Sequence, residues 1–111
     1  MNTEEIQKLI REEHEKTLSE IGAIYDQDRR TLNRTVKLME EVGELSNEIM
    51  SSMNMQRSEK MSDYKKDNIS SEIADVIITA LLIAENIDID AFESVKKKMG
   101  KIKARRKKLQ K

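Results

Sequence analysis

The chain has no cysteine, no proline and no tryptophan, and its 111 residues include only three glycines, three aromatic side chains and one histidine. Each scarcity removes a class of chemistry. Without cysteine there is no disulfide, no thiol nucleophile and no soft metal ligand, which fits a reducing compartment. Without proline, long helices meet few breaks. The sequence also lacks a glycine-rich phosphate loop. The single histidine, His14, stands among Glu12, Glu13 and Glu15 with no nucleophile to serve, so it reads as a surface or boundary residue. With so few aromatics, base stacking rests on Tyr25 or Tyr64 at best. The longest apolar stretch is about half of the roughly 20 residues needed to cross a bilayer, and the opening MNTEEIQKLI is too acidic and polar for a signal peptide. The expected location is the cytoplasm, with no membrane partner.

Charge is what the chain has in abundance: 38% of residues are charged and the formal net charge is zero. The balance conceals an asymmetry. Residues 96–111 hold ten Lys or Arg and no acid, which leaves eleven basic against twenty-one acidic side chains in residues 1–95. An acidic body is followed by a basic end. Lys107 to Lys111 read as a solvated tail, without a specific nucleic-acid role. Phe92, Val95, Met99 and Ile102 recur at helical spacing, so the segment before the tail should dock.

Hydrophobic periodicity predicts an all-α chain of four helices in one domain, residues 1–106, with residues 107–111 as the tail. The first helix is expected from about Thr3, as cap, to Ile21, with Ile6, Leu9, Ile10 and Leu18 on its apolar side. Gly22 to Arg30 reads as a connection and Thr31 to Met53 as the second helix. A polar link from Asn54 to Met61 follows, and Ser62 or Asn68 caps a third helix ending near Asn86. The fourth begins near Asp90. The seven methionines read as gap-filling core. The third helix is apolar nearly all round, which a chain of this size cannot easily bury alone, so a homodimer or tetramer is expected.

Two acidic pairs carry the functional signal. Glu41 with Glu44 and Glu72 with Asp75 are each one helical turn apart, and the second pair lies inside SSEIADVIITALLIAENIDID, Ser70 to Asp90. On the wheel Asp75 is flanked by Val76, Ile78, Leu82 and Ile83. A carboxylate held there is desolvated and persists as an ion only beside a positive group. Lys37 is the one cation in prospect, and a bound metal ion is the economical answer. On the second helix Leu38, Val42, Leu45, Ile49 and Met53 form an apolar stripe with Glu41 at its edge, while Glu40 and Glu48 read as solvated acids. Gly43, in mid-helix, costs about 1 kcal/mol against Ala, which is easier to understand if a backbone or ligand approaches it. If the third helix starts at Ser62, antiparallel packing brings Glu44 level with Glu72. All the ligands are oxygens, so the ion is a hard one, Mg²⁺ with Mn²⁺ as a substitute. Such clusters commonly join carboxylates to phosphates through the ion. The substrate is then a polyphosphate.

EEVGE (Glu40 to Glu44) followed 27 residues after Glu44 by EIAD (Glu72 to Asp75) resembles the EExxE and ExxD signature of the MazG-like all-α nucleoside triphosphate pyrophosphohydrolases. The resemblance runs from about Ile6 to Arg105. It implies a four-helix bundle packed in a homodimer or tetramer, with Mg²⁺ held by Glu41, Glu44, Glu72 and Asp75. It also implies cleavage of a nucleoside triphosphate to monophosphate and pyrophosphate, with Glu40 or Glu44 accepting the proton of the attacking water. The family's Lys-x-Asn-x-Arg phosphate contacts fall on Lys101, Lys103 and Arg105, with Lys in place of Asn, and Lys37 is a further substrate-binding candidate. Many members carry Tyr four residues after the Asp; here that position is Thr79. From another class, the same features suit a non-catalytic helical oligomeric interaction or regulatory module. A di-iron carboxylate protein is disfavoured by the missing Glu-x-x-His pairs.

Overall fold

A computed structural model describes residues 1–22, 24–55 and 63–110. The chain is all-α: four helices, α1 (Thr3–Ile21), α2 (Gln27–Met55), α3 (Asp63–Asn86) and α4 (Ala91–Leu109), with no strand among the described residues. The expected link beyond Met55, the Ser62 cap and the Tyr64 side chain lie outside what is described.

Local chemistry sets most helix ends. Asn2, rather than Thr3, caps α1, its side-chain oxygen accepting from Glu5 N at 2.9 Å. The second helix begins four residues earlier than expected. Asp26 accepts from Arg29 N at 2.8 Å through its side chain and from Arg30 N at 3.0 Å through its carbonyl, so helical bonding starts before Thr31. Asp90 caps α4 in the same way, through Glu93 N. Between α3 and α4 the chain turns through a Schellman motif, in which Ile89 N donates to Ala84 O at 2.9 Å and Asp88 N to Glu85 O at 3.4 Å. Asp88 takes the left-handed conformation this requires, φ 58°, a region Asp tolerates better than most residues. Asn68 caps nothing; it lies inside α3.

Helices α2 and α3 pair antiparallel, and α1 packs on α3. Polar ties mark the register from one end to the other. Gln27 and Asn86 exchange hydrogen bonds, Nε2 to O at 2.8 Å and Nδ2 to O at 3.3 Å. Arg34 donates to Leu82 O at 2.7 Å, and at the far end Glu48 accepts from Lys65 at 3.0 Å and Asn68 at 3.3 Å. The acidic pairs lie between these ties.

The apolar core of the single chain is small. Among the described residues only Ile10, Leu81 and Ala84 are fully buried apolar positions, and the radius of gyration is 17.7 Å, against about 13 Å for a compact chain of this length. The expected stripe on α2 is divided. Leu38 and Leu45 are half-buried against α3, whereas Val42, Ile49 and Met53 are exposed. The line facing α3 is Leu38, Glu41, Leu45, Glu48 and Ser52. Nor do the methionines whose side chains are described fill this core: Met1, Met39, Met50, Met53 and Met99 are all exposed, and Met55 and Met61 lie outside the described side chains. Helix α4 does not dock along its own chain, and every residue from Glu93 to Gln110 is exposed.

Candidate functional site

The α2–α3 pairing brings one oxygen from each of Glu41, Glu72 and Asp75 within 4.8 Å of one another. Glu41 and Glu72 belong to the facing surfaces of two helices, so their carboxylates leave water when the helices close. Glu41 is only 6% exposed, Glu72 is half-buried, and Asp75 opens to solvent. The three therefore form a cleft with a dry floor and a wet rim.

Electrostatics in that cleft are unbalanced. The Glu72 carboxyl is pushed above its ordinary value, chiefly by loss of solvent, then by the negative charges of Glu44, Glu41 and Asp75, and by a hydrogen bond that it shares with Glu44. Glu44 is exposed and is not one of the three gathered acids, though its charge helps to raise Glu72. Among the described residues the one cation in contact is Lys37. Its ammonium lies 3.2 Å from Glu41 Oε1 and 3.6 Å from Glu40 Oε2, and those two acids raise its pKa, Glu41 most. Lys37 and Glu40 are both solvent-exposed, a setting in which an ion pair contributes little. Among the described residues three buried side-chain oxygens have no hydrogen-bond partner, Gln7 Oε1 on α1 and, in this cleft, Glu41 Oε2 and Glu72 Oε2. A polar atom left so in a folded protein costs about 1–3 kcal/mol. The donor set, oxygens only and already gathered, fits a hard divalent cation, which would satisfy both orphans together.

The remaining candidates are placed less tightly. Lys101, Lys103 and Arg105 are exposed on α4, and among the described residues they make no ion pair with the cluster. Thr79 is buried and spends its hydroxyl on Asp75 O, 2.7 Å away. A side chain so committed fills helix packing and offers nothing to a ligand. Gly43 has nothing within 4 Å of where a Cβ would stand, so no part of the described chain makes the close approach expected there.

Several polar residues at the interface were not legible as such. Glu48, expected to be a solvated acid, braces α2 to α3 through Lys65 and Asn68, and these two partners hold its carboxyl below the usual range. Arg30 and Arg34 reach across to the end of α3, Arg30 Nε donating to Asn86 Oδ1 at 3.2 Å and Arg34 Nη1 to Leu82 O at 2.7 Å, and Arg34 Nη1 also lies 3.4 Å from His14 Nδ1 on α1. The available signal was the spacing Arg30, Arg34, Lys37 on one side of α2, facing the carbonyl end of an apolar helix.

Fold and site together define an all-α domain whose central helix pair offers an acidic, oxygen-lined cradle for a cation. Residues 28–110 match the model of the MazG nucleotide pyrophosphohydrolase domain, and the chain belongs to that family. No curated protein and no solved structure matches it.

Proposed function

We propose that this chain is a Mg²⁺-dependent nucleoside triphosphate pyrophosphohydrolase, releasing a monophosphate and pyrophosphate. The observation that carries the reading is the pair of buried, unpartnered carboxylate oxygens on Glu41 and Glu72, within reach of Asp75. A structural acid in that position would be expected to have a partner. Membership of the family supplies the substrate class.

Glu41, Glu44, Glu72 and Asp75 would hold Mg²⁺, or Mn²⁺ in its place. When bound, such an ion neutralises phosphate oxygens and acidifies water. The protein's own part begins with excluding solvent from one side of the cleft, which strengthens every charge interaction inside it. Glu40 and Glu44, exposed at the rim, are free to accept a proton from the attacking water. Lys37, tied to Glu40 and Glu41, swings on a flexible stem between those acids and an arriving phosphate. The exposed apolar side chains of α2 and α3, among them Met39, Met50, Ile73, Ile77 and Ile78, support a working form that is a homo-oligomer.

The deciding experiment incubates the protein with ribose, deoxyribose and base-modified triphosphates, with Mg²⁺ or with EDTA, and measures both products. Monophosphate and pyrophosphate in equal amounts, only with the metal, is the expected result. Release of inorganic phosphate, or undiminished turnover in EDTA, would overturn it.

A further inference from the structure

Lys37 is placed where helix-surface pairing alone gives it little reason to be. Exposed Lys–Glu pairs stabilise a helix best with the acid on the N-terminal side, yet here the lysine comes first. Its ammonium meets two acids at once, Glu41 Oε1 at 3.2 Å and Glu40 Oε2 at 3.6 Å. The stem is open and its main partner is not: the side chain of Lys37 is 57% accessible and that of Glu41 is 8%. A mobile cation is anchored on a buried anion.

No other cation on the two helices takes this place. Between Lys37 and Met55 α2 carries no further basic residue, and between Asp67 and Asn86 α3 carries none. The basic residues just outside those stretches are engaged elsewhere. Arg34 donates to Leu82 O at 2.7 Å, Lys65 meets Glu48 at 3.0 Å, and Lys66 lines a groove with Ile49 and Met53.

The Glu41 carboxylate is itself divided. One oxygen takes the ammonium, while the other, Oε2, is buried without a partner in the group formed with Glu72 and Asp75. A single ammonium set against three gathered carboxylates is an incomplete substitute for a divalent ion. It is also a removable one, because an exposed ion pair contributes little and the lysine stem is flexible.

We propose that Lys37 is a tethered counter-ion of the carboxylate cleft: it neutralises Glu41 when no divalent cation is bound and gives Glu41 up when one binds, so that its ammonium is free for phosphate only at a loaded site. This rests on the reading of the cleft as a divalent-cation site and adds an order of events to it. Two positive groups served by one carboxylate oppose each other, so Lys37 lowers the affinity of the cleft for the cation. Once released, the same ammonium raises the affinity for an anionic substrate, and cation and substrate then favour each other's binding. One side chain sets two affinities in opposite directions, which a residue that only supports the helix does not do.

The first measurement needs no nucleotide. Mn²⁺, followed by the paramagnetic signal of the free ion, is titrated into parent, Lys37→Met and Lys37→Arg protein at low ionic strength. Lys37→Met should bind it about threefold to tenfold more tightly than the parent, a modest gain because the charge is exposed and screened, and Lys37→Arg should stay near the parent. Moving the charge instead of deleting it tests contact. Asn33 is exposed one turn before Lys37 and eight residues from Glu41, about 12 Å along the helix, so Lys37→Met with Asn33→Lys should keep the tighter binding. A return to the parental affinity in that double variant would mean a diffuse field and overturn the proposal.

A second measurement needs neither nucleotide nor metal. Lys37→Met should lower the urea midpoint of the parent and leave that of Glu41→Gln unchanged, the coupling expected of a direct pair; equal shifts in both backgrounds would overturn the counter-ion role. A parent that binds no Mn²⁺ would sink the metal reading, and the release with it. Equal Mn²⁺ affinity in parent and Lys37→Met would overturn the tethered counter-ion and leave the metal reading intact. Weaker binding by Lys37→Met would overturn it from the other side, making Lys37 a residue that orients Glu41. In turnover, Lys37→Met should need less free Mg²⁺ for its half-maximal rate and show a higher KM for the triphosphate. A rise in both would mark damage to the cleft and count against the exchange.

Discussion

Two of the polar regions on the α2–α3 interface, about two helical turns apart at their nearest residues, are built on opposite rules. At the end of α3, Asn86 is 4% exposed, yet its amide donates to Gln27 O and Thr31 Oγ1, its side-chain oxygen accepts from Arg30, and its carbonyl accepts from Gln27. Arg34 satisfies Leu82 O beside it. In the middle of the same interface, Glu41 and Glu72 each keep a buried oxygen with no partner, among acids that outnumber the single ammonium of Lys37 beside them. Burial of polar groups is common to both regions and marks neither as functional. Incompleteness is what separates them: the first region is closed by the chain itself, and the second is finished only by something added.

That contrast predicts opposite responses to mutation. The largest effect falls on activity at the open region. Glu41→Gln, Glu72→Gln and Asp75→Asn each remove one anionic oxygen at nearly constant shape, and each should lower turnover by roughly a hundredfold or more, with helical content unchanged by circular dichroism. Turnover within a few-fold of the parent for Glu72→Gln would make the open region merely a strained patch of the interface.

Next in size is stability at the closed region. Asn86→Ala removes the hydrogen bonds of a buried amide to Gln27 O, Thr31 Oγ1 and Arg30 Nε, and Arg34→Met removes the charged donor on Leu82 O, so each should cost about 1–3 kcal/mol in urea unfolding. Both residues lie away from the cluster, and turnover per folded molecule should stay near the parent's. If either change were silent in stability while abolishing turnover, the division between the regions would fail.

The same comparison explains what could be read beforehand. Helix number, the α3 end near Asn86 and the convergence of Glu41 with Glu72 and Asp75 follow from periodicity and from acids set among Val76, Ile78, Leu82 and Ile83, signals local enough to survive without tertiary information. Glu48 and Arg34 were illegible because a Glu or Arg on an amphipathic helix looks alike whether it meets water or a neighbour 17 or 48 residues away. Helix α4 misled for a different reason. Its apolar spacing marks an amphipathic face that was expected to dock, yet every residue from Glu93 to Gln110 is exposed, because spacing carries no information on what surface, if any, a face meets.

Added metal offers a smaller, direct comparison. Mg²⁺ binding the folded state alone stabilises it by RT ln(1 + [Mg²⁺]/Kd), about 2.7 kcal/mol at a hundredfold excess over Kd. The parent and Asn86→Ala should gain equally, since the closed region takes no part. Glu72→Gln should start no less stable than the metal-free parent, because it removes a crowded charge, and should gain little. Equal gains in thermal melts for Glu72→Gln and the parent would place any metal elsewhere.

The smallest effect is the pH dependence contributed by the closed region. His14 is held below its ordinary pKa, first by loss of solvent and then by Arg34, with Arg30 adding to this and Glu85 and Asp88 opposing it. Its Nδ1 lies 3.4 Å from Arg34 Nη1, and the guanidinium can donate there only while that nitrogen is unprotonated. The sign follows from linkage. A histidine whose folded pKa is depressed contributes stability that is present above the unfolded value of 6.5 and is lost as pH falls through the folded value, because the unfolded chain binds the proton first. Exposure at the edge of α1 discounts the effect, so a shallow loss of stability is expected below pH 6.5 in metal-free protein. Glu48, held low by Lys65 and Asn68, loses its contribution only below its ordinary value near 4.5; above that value Glu72, whose pKa is raised, opposes His14 because the folded chain takes up its proton first, and comparison with His14→Gln isolates the histidine. His14→Gln should lose less stability with falling pH than the parent, measured as the urea midpoint from pH 7 to pH 5. An unchanged slope in His14→Gln would mean that Arg34 moves aside when the imidazole is charged, and that the closed region is less rigid than its hydrogen bonds imply.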